Sequence, residues 1–182
     1  MRANEQRDWK LPVYGADEPT QIEWAMMAAF IDGEGSVLIQ SRGSCAEKDK
    51  LRNPEAALYL VITVANTDAR LILWLLERFG GSFSDSTGKK NFDCGRKTCY
   101  HWTASSNRAA WILYNCLPYF VIKKEQADIG IQLQETMLRV RGRGIELSPE
   151  VVSTRKRLKQ NLLIMKRKGR VVTANNQEKE VI

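Results

Sequence analysis

Between Ile22 and Ile31 almost every residue is apolar, and the run ends abruptly in Asp32-Gly33-Glu34-Gly35. A helix built from this run lacks the polar stripe of a surface helix. It is covered all round, so it must touch something besides its own core. Spanning a bilayer needs about twenty apolar residues, which this run does not supply. Ala25 and Ala29 lie on one helical face, and small residues at that spacing let two helix backbones approach closely. A second copy of the same helix across a two-fold axis meets both demands. The interface expected on these grounds comprises Ile22, Ala25, Met26, Ala28, Ala29 and Asp32.

Asp32 and Glu34 stand at the negative end of that helix's dipole, where each carboxylate loses about half a kcal/mol. A divalent cation offsets this, and hard oxygen ligands suit Mg²⁺. Two parallel copies of the helix would bring their acidic ends together, so that both subunits share metal on the axis. Asp32 is expected instead to cap backbone amides. Glu34, between glycines that leave room for a ligand, is the expected metal-binding residue. Gly33 and Gly35 are expected to stop the helix at residue 32, because glycine accepts the backbone angles of a helix end.

The rest of the chain reads as hairpin, helix, hairpin, helix, helix. Residues 36–42 alternate, with Val37 and Ile39 on one face and Gln40 and Arg42 on the other, a strand pattern. A polar loop over 43–55 leads to a second strand over 57–65. Thr67 or Asp68 caps a helix whose apolar set is Leu71, Trp74, Leu75 and Phe79, closed by Gly80 and Gly81. Strands over 82–86 and 98–103 flank a basic hairpin. Ser105 or Ser106 caps a helix carrying Ala109, Ile112, Leu113 and Cys116, which Pro118 ends. A helix over 123–139 and a hinge at 142–144 follow. Ser148-Pro149 then opens a last helix, with an apolar seam of Val151, Leu158, Leu162 and Met165. Its polar face carries Arg155, Lys156, Lys159, Lys166 and Arg167, expected to face phosphates. Residues 1–20 read as an irregular arm, 21–168 as one domain and 169–182 as a flexible tail.

The segment Met27-Ala28-Ala29-Phe30-Ile31-Asp32-Gly33-Glu34-Gly35 resembles the LAGLIDADG motif of homing endonucleases, with Met27 for the usual leucine and Ala29 for the usual glycine. The order of elements over 22–139 is similar to that family's αββαββα fold. The resemblance implies an α+β fold: an antiparallel sheet forms a saddle, the motif helix lies at a dimer interface, and further helices follow. A single motif resembles the homodimeric branch. Glu34 falls at the family's metal-binding acid, and two or three Mg²⁺ ions per dimer are implied near the two-fold axis, with the Gly33 backbone carbonyl as a further ligand. Thr63-Val64-Ala65-Asn66-Thr67-Asp68 places Asn66 where the family often has glutamine, with Arg70 one helical turn on. Leu117-Pro118-Tyr119-Phe120-Val121-Ile122-Lys123-Lys124-Glu125-Gln126 aligns Lys123 with the family's lysine. The implied catalytic set is Glu34, Lys123, Asn66 and Arg70.

The implied activity is a site-specific double-strand break in a long, nearly palindromic site, with short 3′ overhangs, in the service of intron homing. The rival reading is an RNA-binding intron maturase of the same fold, with intron RNA as partner. A catalytically dead DNA-binding protein is a third, against which the retention of Glu34 and Lys123 argues. The formal net charge of +7 and a pI near 9.3 suit a polyanionic partner. A sheet ribbon fits the major groove. The outward residues expected to read double-stranded DNA are Ser36, Leu38, Gln40 and Arg42; Tyr59, Val61 and Thr63; Ser82, Ser84 and Ser86; His101 and Thr103. Lys48, Lys50, Arg52, Lys89, Lys90, Arg96 and Lys97 are expected on loops that grip the backbone.

His101, the single histidine, falls on the fourth strand and away from the proposed centre. Activation of water is thereby left to the metal, and ordering of solvent to Lys123, Asn66 and Arg70. With no secretory signal at the start of the chain and no membrane partner expected, the location expected is intracellular, cytoplasmic or organellar. Cys45, Cys94, Cys99 and Cys116 then read as reduced thiols. Cys94 and Cys99 can meet across a hairpin, as a disulfide or with His101 at a metal, but one loose pair lacks the repeated spacing of structural zinc.

Overall fold

A computed structural model describes residues 17–41, 58–86, 97–138 and 147–168. Helix α1 (Gln21–Glu34) opens on a capping box: the Thr20 hydroxyl accepts the Glu23 amide, and the Glu23 carboxylate accepts the Thr20 amide at 2.8 Å. Strands β1 (Gly35–Ser41) and β2 (Leu58–Asn66) form the first hairpin. Helix α2 (Ala69–Phe79) follows, then the pair β3 (Ser82–Asp85) and β4 (Tyr100–Ser105). Helices α3 (Ser106–Cys116), α4 (Lys124–Leu138) and α5 (Pro149–Lys168) complete the order. No helix among the described residues is long and apolar enough to cross a membrane.

The four strands form one antiparallel sheet in the order β1-β2-β4-β3. Alternation dictates its two faces. Val37, Ile39, Leu60, Ile62, Val64, Trp102 and Ala104 turn inward and bury against Met27 and Ile31 of α1, Ile72, Leu75 and Phe79 of α2, and Ile112 and Leu113 of α3. The Trp102 indole donates to the Gly80 carbonyl at 2.7 Å, which satisfies the one polar atom of the largest buried side chain. Gly81, at φ +108°, sits against the Thr103 carbonyl in a conformation and a space that admit no side chain. On α4, Gly130 lets the helix cross close to Leu60 and Leu113, where a Cβ would meet Leu60 at 2.7 Å.

Three corrections concern the helices. First, α1 does not stop at Asp32 but runs through Gly33 and Glu34, and Gly35 begins the strand. The backbone of Gly35, at φ −96°, is open to any residue. What demands glycine there is space, since a Cβ would lie 2.6 Å from the Ile31 Cα. Second, Ala28 is fully buried in the core and so is removed from the expected interface. Third, Arg155 does not face outward: it is 4% exposed, and its guanidinium donates to the Thr136 hydroxyl at 2.9 Å and the Thr136 carbonyl at 3.1 Å. The seam itself docks as expected, with Leu158 and Leu162 buried. Residues 1–16 of the arm, the hinge, the tail, and Arg42, Cys45, Lys48, Lys50, Arg52, Lys89, Lys90, Cys94 and Arg96 lie outside the described residues.

Candidate functional site

The C-terminal end of α1 is fastened to the segment that precedes α4. The Asp32 carboxylate accepts three consecutive amides, from Val121 at 2.8 Å, Ile122 at 3.2 Å and Lys123 at 2.9 Å. In return the Lys123 ammonium donates to the Ile31 carbonyl at 2.8 Å and to the Asp32 carbonyl. A carboxylate unsuited to the end of α1 is therefore well placed at the start of α4, where free N–H groups favour negative charge. The lysine answers the free carbonyls of α1 by the same logic. Asp32 thus makes its bonds within the subunit, and the expected capping role is what the geometry displays. Burial pushes the Lys123 ammonium down, against the opposite pull of Asp32.

Glu34 has no comparable relief. It is exposed on the last residue of α1, no basic residue lies in that last turn, and no described residue bonds its carboxylate. Gly33 beside it has nothing within 4 Å of where a Cβ would stand. The glycines that flank Glu34 are therefore unlike: Gly33 opens space, whereas Gly35 fills it. Among the described residues no three acidic, histidine or cysteine side chains converge on one point. One subunit offers one free carboxylate and the helix-end carbonyls, all hard oxygen donors. That set fits Mg²⁺, and only in part.

The other two expected catalytic residues are turned to local duties. The Asn66 side-chain oxygen accepts the Asp68 amide at 2.8 Å, forming the turn into α2. By register Asn66 lies two positions beyond Val64, the partner of Gly35, and so next to the end of α1. Arg70 grips Asp68 with a forked ion pair at 2.5 to 3.1 Å, on an exposed surface. The guanidinium holds the Asp68 carboxyl at about 2.

A fifth side chain arrives from α5, which the sequence reading did not place beside this site. The Lys166 ammonium of α5 donates to the Ser36 hydroxyl at 2.9 Å. Its charge is disfavoured by burial and by the nearby Lys123. The basic character of α5 was legible in the sequence, but no local pattern told where the helix would dock.

Along α1 an apolar face stays uncovered. Ile22 is 73% exposed and Met26 42%, with Ala29 and Gly33 continuing the same stripe. Val121 and Ile122, 88% and 70% exposed, are held beside Asp32 at its end. Ala25 is half-buried at its margin. The sequence reading missed Val121 and Ile122, whose position depends on bonds to a residue 89 to 90 places away.

Register places the outer sheet residues in rows. Ser36, Thr63, Thr103 and Ser82 lie side by side, as do Ala65, His101 and Ser84. Gln40 pairs with Tyr59, whose hydroxyl donates to the Gln40 side-chain oxygen at 2.8 Å. Leu38 is half-buried opposite Val61, which at 3% exposure is corrected from a reading position to a buried one. Ser86 lies past the end of β3, and its hydroxyl accepts the Cys99 amide at 2.9 Å, so it closes the hairpin. Ser36 is covered at the sheet edge by Lys166. Lys97 is exposed. Cys116 is buried, bonds the Trp24 carbonyl, and has its thiol pushed far up by burial and by Asp32, which makes it inert.

No protein-family description and no curated protein matches the chain. Solved structures do. The homing endonuclease I-CvuI, in a complex with the I-CreI target and magnesium in which the DNA is not cleaved, matches with a TM-score of 0.59 at 15% identity, over 89% of this chain and 88% of that one. The archaeal intron-encoded homing endonuclease I-Vdi141I, complexed with DNA, matches with a TM-score of 0.61 at 15% identity, over 84% and 89%. The LAGLIDADG homing endonuclease I-GzeII, with its DNA target, matches at 0.51 and 17% over 83% of this chain, which spans about half (46%) of that one. The fold is therefore that of LAGLIDADG homing endonucleases, α+β with a four-stranded antiparallel sheet.

Proposed function

We propose that a protein with this fold is a homodimeric, metal-dependent endonuclease that cuts both strands of duplex DNA at a long, nearly palindromic site. The observation that carries the reading is Glu34: an exposed carboxylate at a helix C-terminus, unbonded by any described residue and adjoining a bare apolar stripe of Ile22, Met26, Ala29 and Gly33. Pairing that stripe with its copy brings two Glu34 side chains to one axis. Glu34 and the Gly33 carbonyl are the ligands for Mg²⁺ there. Magnesium supplies water activation and neutralises charge developing on the phosphate.

The remaining work falls to the protein. Lys123, fixed by two carbonyls and held only half-exposed, presents a cation whose direction is set before DNA arrives. Asn66 keeps its side-chain N–H groups for solvent while its oxygen holds the turn. Arg70 reaches a phosphate only by leaving Asp68, so its part is to follow binding rather than precede it. On the outer sheet, Gln40, Tyr59, Thr63, Ser82, Ser84, His101 and Thr103 are the base-reading set, and Lys97 a backbone contact. Two subunits each reading about one helical turn set a site of roughly two turns.

The test is incubation with Mg²⁺ and a randomised duplex library, followed by sequencing of cut ends, which also reads the overhang. Wild type is expected to cut. Glu34→Gln is expected to bind the selected duplex and leave it intact; cutting by that variant would remove the metal assignment. A monomeric mass at working concentration contradicts the helix pair. RNA binding that survives excess duplex DNA would favour a maturase instead.

A further inference from the structure

In α5, Leu158 and Leu162 are buried at a spacing of one helical turn, and the next position along that row is Lys166. A lysine thus stands where the seam would continue with an apolar residue. The row carries it off the end of the docked surface to the edge strand β1, where the ammonium meets the Ser36 hydroxyl at 2.9 Å. Ser36 is two residues from Glu34. Lys123 brings its own ammonium to the end of α1. Two partly buried cations, one from α5 and one from the segment before α4, are thus held near the end of α1, close enough that Lys123 disfavours the charge on Lys166. Both ammoniums donate to a hydroxyl or to carbonyls, and among the described residues neither donates to a carboxylate. Such an arrangement is unfavourable in the free protein and favourable once an anion enters between them.

We propose that Lys166 contacts the phosphate at the cleavage position, with Ser36 as the post that aims it. The proposal rests on the endonuclease reading above and adds to it a side chain from α5. An ammonium has three N–H donors, and one bond to Ser36 leaves two for phosphate oxygens. Lys123 and Lys166 then both serve the phosphate at the α1 terminus. The basic helix contributes to the chemistry through a single residue on its docked row, and its exposed residues Lys156 and Arg157 have no part in this contact.

The experiment compares wild type, Lys166→Met and Lys166→Arg. Methionine keeps the apolar stem and removes the charge. The first readout is the salt dependence of duplex binding. It is expected to become shallower for Lys166→Met by about 0.9 per subunit in the slope of log K against log salt, and to return with Lys166→Arg. The second is single-turnover cleavage at saturating enzyme, expected to fall roughly tenfold or more for Lys166→Met even where all the duplex is bound. An unchanged slope overturns the contact, whether or not any variant cuts. An unchanged rate with an active wild type overturns the cleavage position. Failure of wild type to cut any duplex overturns the nuclease reading, while the slope still decides the phosphate contact. A lysine that only braces Ser36 would lower the melting temperature and leave the slope alone.

Discussion

The Asp32 carboxylate accepts the Lys123 amide proton at 2.9 Å, and the Lys123 ammonium donates back to the Asp32 carbonyl. Each residue holds the other's main chain, across 91 positions of sequence. The clasp joins a helix C-terminus to a helix N-terminus, so the dipole of each element is answered by the charge the other supplies. It also fixes the direction of Lys123 and holds Val121 and Ile122 out beside the apolar stripe. Stability and the proposed function therefore meet in one pair.

Replacing Asp32 by Asn tests the clasp. An amide group can accept from some of the three N–H donors, but its own NH₂ then faces donors. The variant is expected to lose about 2 to 3 kcal/mol in urea denaturation, the range for hydrogen bonds to a charged group left poorly matched. It should also lose cutting, because Lys123 is released. A variant with an unchanged denaturation midpoint would show that the clasp holds nothing.

The two glycines around Glu34 are expected to respond oppositely to alanine. Gly35→Ala drives a Cβ to 2.6 Å from the Ile31 main chain and should cost about 2 kcal/mol or more through backbone displacement. Gly33→Ala meets nothing within the subunit and improves helix propensity, so the isolated chain should gain about 0.5 to 1 kcal/mol. The same methyl group sits on the uncovered stripe and should weaken dimerisation. Denaturation and concentration-dependent light scattering, run on both variants, separate the two effects.

Acid sensitivity has a designated source at the other end of α1. Arg78 donates to the Glu23 carboxylate at 2.5 and 2.8 Å, and with the Thr20 amide holds its carboxyl at about 2 instead of 4.5. Because the folded value lies below the unfolded one, this contribution is complete above pH 4.5 and is lost as pH falls toward 2. Arg78→Met should lower the melting temperature at pH 7 and flatten its decline between pH 4.5 and 2. Parallel melting curves for the two proteins over that range would refute the assignment.

Local pattern sufficed for what is local. The apolar run announced α1, the alternation of Val37 and Ile39 announced the core face of β1, and Leu158 and Leu162 announced the seam of α5. Where the reading went astray, a distant contact decided. Helix α1 continues past Asp32 with its end carbonyls answered by Lys123, 91 positions away, and that contact has no signature in residues 21–35. Arg155 is buried because Thr136 offers two acceptors, and Val61 is buried although its strand neighbours Tyr59 and Thr63 are only half-buried. Glu34 was legible as a carboxylate in an awkward place. Arg70 was legible as a cation near the site, but its bond to Asp68 follows from the geometry of an N-cap. Lys166 was legible only as one basic residue among several, since what distinguishes it is the row on which it lies.

Pleating has a further consequence for a nuclease built this way. Gln40, Tyr59, Thr63 and Thr103 alternate with the residues that hold the sheet to its helices, so they can be exchanged while the packing beneath them stays intact. Under the proposed reading, recognition and scission rest on separate residues of one scaffold. A lineage of such proteins can drift to new target sequences strand by strand, carrying an unaltered cutting centre with it.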